Sequence, residues 1–190
     1  MDQVEQAAHI LKRDGLVVYP TDTIYGLGAD AFSDEAILKV YKAKRRPISE
    51  PISVAVCDME MAYGIARIDE RASSFIEAFF PGPVTIVVRA KNCLPDILTG
   101  GTGMVGIRIP AHPVALRLIQ LFDSPITATS ANIHGAKDPA SPDECHVMHD
   151  LLIDAGRLPG TASTVVDISR GVIIRRGAFA DAVEAFLNTR

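Results

Sequence analysis

The chain has 190 residues, of which 48% are hydrophobic and 22% charged, a composition typical of one soluble globular domain over residues 1–190. The 19 basic and 23 acidic residues leave a formal net charge of −4, so the chain as a whole has no electrostatic attraction for nucleic acid. It contains no apolar run of membrane-spanning length, no basic-then-apolar leader, and no CxxC pair among its three cysteines. We therefore expect a cytoplasmic protein that does not contact a membrane.

Hydrophobic periodicity predicts helices and strands in alternation along the chain. The elements predicted for the first part are, in order, a helix at 2–11, a strand at 16–19, a polar loop at 21–30, a helix from Ser33 that cannot pass Pro47, a strand at 52–57 and one or two helices at 58–80. Those predicted for the rest are a turn at 81–83, strands at 84–88 and 105–109, a helix at 112–122, a strand at 126–131, a helix at 142–152, a hairpin of 164–168 and 172–174, and a short final helix. This order predicts an α/β fold with a twisted, mixed sheet and flanking helices.

The first unusual loop has the sequence YPTDTIYGLG at residues 19–28, directly after a predicted strand. The hydroxyls of Thr21, Thr23 and Tyr25 would line a cleft if this strand ended where open α/β sheets bind ligands. The alternative is an ordinary turn in which Gly26 and Gly28 take positive φ.

A basic run, KAKRRP, occupies residues 42–47 at the end of a predicted helix. Basic side chains are favoured there by the helix dipole, which is one explanation. The run continues to the residue before Pro47, where the helix has ended and side chains are free to bind phosphate oxygens. Both readings remain open from this segment alone.

Polar residues also end or interrupt predicted strands later in the chain. The sequence TATSAN at 127–132 supplies hydroxyls and an amide, which suit either ligand binding or turn capping. Arg108 lies inside an apolar strand, so it either faces solvent or meets an anion. Ser163 and Arg175 repeat this combination of hydroxyl and guanidinium near the C-terminus.

Some motif matches do not fit their structural context. Residues 101–106 read GxGxxG but precede a predicted strand, which excludes the dinucleotide-binding interpretation. Cys145, His146 and His149 would share one helical turn without a further ligand, so we predict no protein-bound metal.

Five ordered motifs together resemble those of the YrdC/TsaC family of threonylcarbamoyl-AMP synthases. They are YPTDTIYGLG at 19–28, KxRP at 44–47, PGPVT at 81–85, RIPAHP at 108–113 and SAN at 130–132. The resemblance implies the short, single-domain form of the family, with a deep, positively charged cavity. One departure is His134 before Gly135, where the family often has serine.

The resemblance also implies an activity: L-threonine, bicarbonate and ATP, with Mg²⁺ bound to the nucleotide, give threonylcarbamoyl-AMP and pyrophosphate. A TsaD-type transferase would then use the adenylate to modify tRNA, so RNA would be contacted indirectly. The family's tetrad maps onto Lys44, Arg46, Ser130 and Asn132, for which we expect ATP binding and catalysis. Further expected contacts are Arg175 with ATP, and Thr23, Arg108 and Ser163 with threonine.

Two alternatives remain at this point. One is a non-catalytic RNA-binding module of the same fold, and the other is a YciO-like paralogue that uses another substrate. The absence of an evident acid–base pair does not exclude the synthase, because a carbamate is already anionic and can attack the α-phosphorus without a general base.

Overall fold

The computed structural model describes residues 1–189 of the chain. Its helices are α1 (Gln3–Leu11), α2 (Asp34–Lys44), α3 (Met59–Ile65), α4 (Glu70–Phe79), α5 (Asp96–Thr99), α6 (Pro113–Phe122) and α7 (Ala180–Asn188). Its strands are β1 (Val17–Tyr19), β2 (Gly26–Gly28), β3 (Val54–Ala55), β4 (Ala66–Arg67), β5 (Val84–Ala90), β6 (Met104–Arg108), β7 (Ile126–Thr127), β8 (Thr129–Ser130), β9 (Leu151–Leu152), β10 (Thr164–Asp167) and β11 (Val172–Arg175). The last residue of the domain expected at 1–190 lies outside the described residues.

The strands form two mixed sheets rather than the single sheet expected from the sequence. The four-stranded sheet has the order β8-β2-β1-β9, with β9 parallel to β1 and the other pairs antiparallel. The larger sheet has the order β11-β10-β5-β6-β3-β7, and β4 pairs with β5 beside this path. Its β10–β5 and β3–β6 pairs are parallel and its other pairs antiparallel, so the predicted mixed α/β class is confirmed.

The two sheets meet at residues 126–130. The sequence predicts one strand at 126–131, but the chain leaves the larger sheet after β7 and enters the smaller sheet as β8. Ala128 lies between the two strands, and its N–H donates to the Ser53 carbonyl at 2.7 Å. The Tyr19 hydroxyl, on β1 of the smaller sheet, donates to the Thr127 carbonyl of the larger sheet at 3.1 Å. The polar segment predicted as a ligand site therefore crosses between the sheets.

Local chemistry fixes α1 and α2, the two helices that flank β1 and β2 in sequence. Asp2 and Glu5 form a reciprocal capping box at the start of α1. Ser33 caps α2 by accepting from the Ala36 N–H at 3.2 Å. Arg45 ends α2 in the left-handed conformation, with φ of 52°, before Pro47 makes continuation impossible. Both predicted helices are thus confirmed.

The hydrophobic core has two parts. One part fills the space around the larger sheet and includes α2 and α4, whose Ile37, Val40 and Phe75 are fully buried. The other joins α1 and α6 to the smaller sheet, and its buried side chains include Leu11 and Leu118. Among residues 1–189, no helix has the length and apolarity needed to cross a membrane.

Two predicted elements are wrong. The segment 142–152, expected to be helical, contains a 3₁₀ turn at Pro142–Glu144 and then β9, which extends the smaller sheet beside β1. Asp150 accepts the Leu16 N–H at 2.7 Å, so pairing with β1 replaces the local helical bonds. The polar loop predicted at 21–30 contains β2, in which Gly26 and Gly28 are strand residues rather than positive-φ turn residues.

The glycines of β2 are needed because an aromatic ring lies over them. A Cβ on Gly26 would lie 3.0 Å from Tyr19 Cζ, and one on Gly28 would lie 3.0 Å from Tyr19 Cε1. Glycine inside a strand often marks such a close approach. The sequence shows the glycines but not the tyrosine ring that selects them.

Candidate functional site

A cavity of about 140 Å³ lies where the two sheets meet. Strands β5 and β10 are parallel to each other, whereas β5 is antiparallel to β6 and β10 is antiparallel to β11. The starts of β5 and β10 therefore lie beside the ends of β6 and β11. The cavity is lined by Tyr19, Thr21, Ile24, Gly26, Arg46, Pro51, Ile52, Ser53, Thr85, Arg108, Pro110, Ala128, Thr129, Ser130, Ser163, Val165 and Arg175. This lining has three arginines, several hydroxyls and no carboxylate, so the cavity suits an anionic ligand.

The predicted tetrad separates into two residues that line the cavity and two that lie behind them. Arg46 and Ser130 belong to the lining, whereas Lys44 and Asn132 do not. Lys44 is 2% exposed, and its ammonium donates to Ser130 O, to Asn132 O at 2.8 Å and to Asn132 Oδ1 at 3.2 Å. An ammonium has three N–H groups, and all three are occupied by this loop.

Asn132 uses its full hydrogen-bonding capacity inside the protein. Its Oδ1 accepts from Lys44 Nζ and from Ser130 Oγ. Its Nδ2 donates to Ala136 O at 2.6 Å and to Asp138 Oδ1 at 3.3 Å. The Ser130 hydroxyl proton is therefore directed at Asn132, which leaves the Ser130 oxygen to accept from a ligand.

The electrostatics of Lys44 follow from this enclosed position. Burial, and to a smaller extent the nearby Arg46 charge, lowers the pKa of Lys44 to about 8, while Asp138 opposes the shift. The ammonium is held by dipolar oxygens rather than by a direct ion pair, because no carboxylate of residues 1–189 lies within ion-pair distance of it. Its protonation consequently responds to alkaline pH.

Arg46 lies at the rim of the cavity. Its Nη2 donates to Pro51 O at 3.0 Å and pairs with Glu50 at 3.2 Å. Glu50 also lies 3.6 Å from His134 Nε2, so the histidine that departs from the family pattern contacts the partner of Arg46. Glu50 and Pro51 thus hold the guanidinium of Arg46 on one side, and the cavity lies on another side.

Arg108 is almost completely buried, and its anion is a carboxylate of the chain itself. Its Nη2 pairs with Asp22 Oδ1 at 2.6 Å, and its Nη1 donates to Thr23 Oγ1 at 3.1 Å. Burial lowers the pKa of His112, which the nearby Asp22 partly counteracts. Within residues 1–189, Asp22 Oδ2, Arg108 Nε and His112 Nδ1 are buried atoms without a hydrogen-bond partner.

The opposite wall of the cavity is formed by Ser163 and Arg175. Arg175 donates through Nε and Nη2 to the Ser163 carbonyl at 3.2 and 2.9 Å, and through Nη2 to Ser163 Oγ at 3.1 Å. Ser163 Oγ also lies 3.0 Å from Thr85 Oγ1. These contacts orient the Arg175 guanidinium at the edge of the larger sheet.

The structure thus brings five of the predicted site residues to the cavity wall: Arg46, Arg108, Ser130, Ser163 and Arg175. The other three, Thr23, Lys44 and Asn132, each bond a lining residue from behind. Sequence reasoning missed the roles of Ser53, Thr85 and Gly106. Ser53 precedes β3 in a segment without a distinctive pattern, and Thr85 belongs to the PGPVT motif, which does not show that its side chain lines a cavity. Gly106 is recognisable only from the Ser53 hydroxyl, which would lie 2.3 Å from a Cβ at this position.

Metal ligands do not gather in the described part of the chain, since residues 1–189 contain no group of three or more His, Cys, Asp or Glu side chains arranged to hold an ion. Cys145 is buried and its Sγ lies 3.6 Å from Ser141 O, while His149 Nδ1 lies 2.8 Å from Val147 O. These side chains bond neighbouring backbone groups.

A family model described as telomere recombination, covering the Sua5, YciO and YrdC proteins, matches residues 9–177. The chain belongs to the Sua5/YciO/YrdC family. The five motifs that suggested this family all lie inside the matched range, and each of them contributes at least one residue to the cavity lining.

Relatives and solved structures within the Sua5/YciO/YrdC family agree with this assignment. The chain is 37% identical over 185 residues to the threonylcarbamoyl-AMP synthase of Pyrococcus abyssi, covering 92% of this chain and 54% of the relative. It is 36% identical over 197 residues to that of Bacillus subtilis, covering 97% and 56%. The crystal structure of P. abyssi Sua5 with L-threonine superimposes with a TM-score of 0.88 at 36% identity, covering 92% of this chain and 54% of that one. The chain therefore spans about half the length of these relatives.

Proposed function

We propose that the chain is an L-threonylcarbamoyladenylate synthase, a nucleotidyltransferase that forms threonylcarbamoyl-AMP and pyrophosphate from L-threonine, bicarbonate and ATP. The observation that carries the proposal is the small cavity in which Arg46, Arg108 and Arg175 converge without any lining carboxylate. The Pyrococcus abyssi and Bacillus subtilis relatives are named as threonylcarbamoyl-AMP synthases, and P. abyssi Sua5 binds L-threonine, which supports the choice of substrates.

The reaction places several negative charges close together. The carbamate formed from threonine and bicarbonate carries its own charge and that of the amino-acid carboxylate, and it must approach the α-phosphorus of ATP. Fixed guanidinium groups lower the repulsion without reorganising during the reaction. Positioning and charge neutralisation are the main needs of this kind of transfer, so an acid–base pair is unnecessary.

The position of each residue in or behind the cavity indicates its role in this reaction. Arg108 holds the threonine carboxylate in the buried part of the cavity, and Ser163 with Arg175 completes the opposite wall. Arg46, at the rim, binds the nucleotide phosphates, and the Ser130 oxygen accepts a hydrogen bond from the nucleotide. Lys44 and Asn132 act on ATP through the loop that carries Ser130, rather than by direct contact.

The metal in this proposal arrives with the nucleotide. Mg²⁺ prefers phosphate oxygens and water, and needs few protein ligands when bound to ATP. Arg46 and Arg175 would share the phosphate charge with the ion.

The downstream partners rest on the family resemblance alone. A labile adenylate of this type has to be consumed quickly, and we propose a cytoplasmic TsaD-type transferase that passes the threonylcarbamoyl group to tRNA. The net charge of −4 supports indirect rather than direct contact with the RNA.

Pyrophosphate release tests the proposal. ATP and Mg²⁺ are supplied throughout, threonine and bicarbonate are each added or omitted, and release is expected only when both are present. Release with another amine in place of threonine would assign the chain to a paralogue with a different substrate. Tight, salt-sensitive RNA binding without any ATP turnover would instead favour the binding module.

A further inference from the structure

Asp22 lies directly behind Arg108, outside the cavity lining. Its Oδ1 accepts from Arg108 Nη2 at 2.6 Å and from the Ala111 N–H at 3.1 Å. The Arg108 and Asp22 side chains are 7% and 12% exposed. Asp22 follows β1 of the smaller sheet, whereas Arg108 ends β6 of the larger one, so one carboxylate oxygen fixes the guanidinium across the sheet junction.

A second set of hydrogen bonds, through the hydroxyls of Thr21 and Thr23, fixes Arg108 from the same loop. The Thr21 hydroxyl lies 2.7 Å from Ile24 O, and because a carbonyl can only accept, the Thr21 proton is used there. The 2.8 Å bond between Thr21 and Thr23 hydroxyls therefore has Thr23 as donor. Thr23 Oγ1 then accepts from Arg108 Nη1 at 3.1 Å.

These contacts leave part of the guanidinium available. Arginine has five N–H donors in a rigid planar fork. Asp22 and Thr23 each take one of them, and the buried Nε has no partner within residues 1–189. Arg108 also lines the cavity. A planar group held by two acceptors presents its remaining donors in one fixed direction, which suits a carboxylate.

The charge of Asp22 has a second effect. A buried guanidinium without a counter-ion is strongly unfavourable, and it would turn toward solvent or other acceptors when the cavity is empty. Asp22 stabilises Arg108 in place before any substrate arrives. Preorganisation of this kind reduces the ordering cost of binding.

We propose that Asp22 is a positioning residue, which holds Arg108 in the orientation that binds the carboxylate of the amino-acid substrate. Asp22 itself does not touch the substrate. The inference rests on the proposed function, which places threonine at Arg108. Removal of Asp22 should weaken binding of threonine, through its carboxylate group, without weakening binding of the nucleotide.

The test compares binding of threonine, threoninamide and an ATP analogue by calorimetry. Asp22→Ala should weaken threonine binding roughly 10- to 100-fold, the effect of losing one charge-assisted contact, and leave binding of the ATP analogue unchanged. Threoninamide lacks the carboxylate charge, so it should bind the wild type more weakly and lose little further affinity in Asp22→Ala. Asp22→Asn keeps an Oδ1 acceptor and should restore part of the threonine affinity.

Two controls separate positioning from a general loss of structure. Asp181 is an exposed aspartate that lies away from the cavity and pairs with Arg176 at a distance of 2.7 Å. The Asp181→Ala protein should bind threonine normally. If Asp22→Ala does not fold, Asp22→Asn carries the same comparison, with a smaller loss that is again confined to threonine.

The outcomes that overturn the inference are distinct from failure of the proposed function. Equal losses for threonine and threoninamide, or for threonine and the ATP analogue, would show a purely structural role for Asp22. Unchanged or tighter threonine binding by both variants would overturn the inference while leaving the function intact. A wild-type chain that binds no threonine at all would overturn the proposed function, and the inference with it.

Discussion

Lys44 and Asn132 are joined by two hydrogen bonds, from the ammonium to the backbone oxygen at 2.8 Å and to the side-chain Oδ1 at 3.2 Å. With the third bond to Ser130 O, the ammonium has no donor left for a nucleotide. The basic run of the sequence therefore contains two kinds of cation. Lys44 supports the loop at 130–132, whereas Arg46 reaches the cavity.

Lys44→Met should lower the stability of the protein as well as its activity. Methionine nearly fills the same volume but leaves buried carbonyl oxygens without donors, which should cost roughly 1–3 kcal/mol of unfolding free energy. Urea unfolding measures the loss. A Lys44→Met protein of wild-type stability that has lost only ATP affinity would show instead that Lys44 binds the phosphates directly.

Arg46→Ala should have the opposite profile. The Arg46–Glu50 pair is partly exposed, so its removal should change the unfolding free energy by no more than about 1 kcal/mol. Loss of a charge-assisted phosphate contact should weaken binding of an ATP analogue roughly 10- to 100-fold. If Arg46→Ala leaves both nucleotide binding and pyrophosphate release unchanged, Arg46 does not hold the phosphates.

Binding of the ATP analogue should weaken between pH 7 and pH 9.5, with a midpoint near the pKa of Lys44, which burial lowers from 10.5 to about 8. Deprotonation removes one N–H from the loop contacts and one positive charge behind the nucleotide. The phosphates of ATP are already ionised in this range, so they do not contribute to the change. Calorimetry across the range checks it, and Lys44→Met should abolish the dependence. A pH-independent wild type would contradict the assignment.

Protein stability is a poorer readout of the same titration. The native pKa of Lys44 lies below its ordinary value, so between about pH 8 and 10.5 the unfolded chain binds more protons and the Lys44 contribution to stability rises with pH. Burial raises the pKa of both Cys57 and Cys145 from 9.0 to about 11, so these thiols reduce stability over pH 9 to 11. The two effects oppose each other where they overlap.

Gly106→Ala should disturb the lining of the cavity as well as the packing of the core. The new Cβ would lie 2.3 Å from Ser53 Oγ and 3.2 Å from Thr85 Cγ2, both of which line the cavity. We expect a stability loss of about 1–3 kcal/mol, the usual range for overpacking, together with weaker threonine binding.

A matched control for this change is Gly64→Ala in α3, where no atom lies within 4 Å of the new Cβ. Alanine favours a helix, so Gly64→Ala should raise the unfolding free energy by up to about 1 kcal/mol and leave threonine binding unchanged. Thermal unfolding measures the stability of the two variants, and calorimetry measures their threonine binding. Normal threonine binding by Gly106→Ala would show that Ser53 and Thr85 do not shape the binding space.

The parts of the fold that could be predicted are those encoded locally. The capping residues Asp2 and Ser33 mark the starts of α1 and α2, and the hairpin of β10 and β11 follows from two apolar runs around a short turn. The pattern of residues 142–152 predicts a helix, whereas β9 forms there because it pairs with β1, and the associated Leu16–Asp150 hydrogen bond spans 134 residues of the chain. Local patterns do not contain that information.

The same distinction applies to the site. Arg108, Ser130 and Arg175 could be selected from the sequence because polar residues at strand ends and inside apolar strands are unusual there. The division between Arg46 and Lys44 could not, since both belong to one basic run and only burial separates them. Asp22 belongs to a motif found in the sequence, but its role depends on Arg108, which is 86 residues away.

The most direct test follows the carbon of isotopically labelled bicarbonate into the nucleotide product by mass spectrometry, with threonine, ATP and Mg²⁺ present. We expect an AMP conjugate of threonine that carries one labelled carbon and accumulates together with pyrophosphate. AMP or ADP without a labelled conjugate, formed equally well when threonine is omitted, would contradict the proposal that this cavity joins a threonine carbamate to the α-phosphate of ATP.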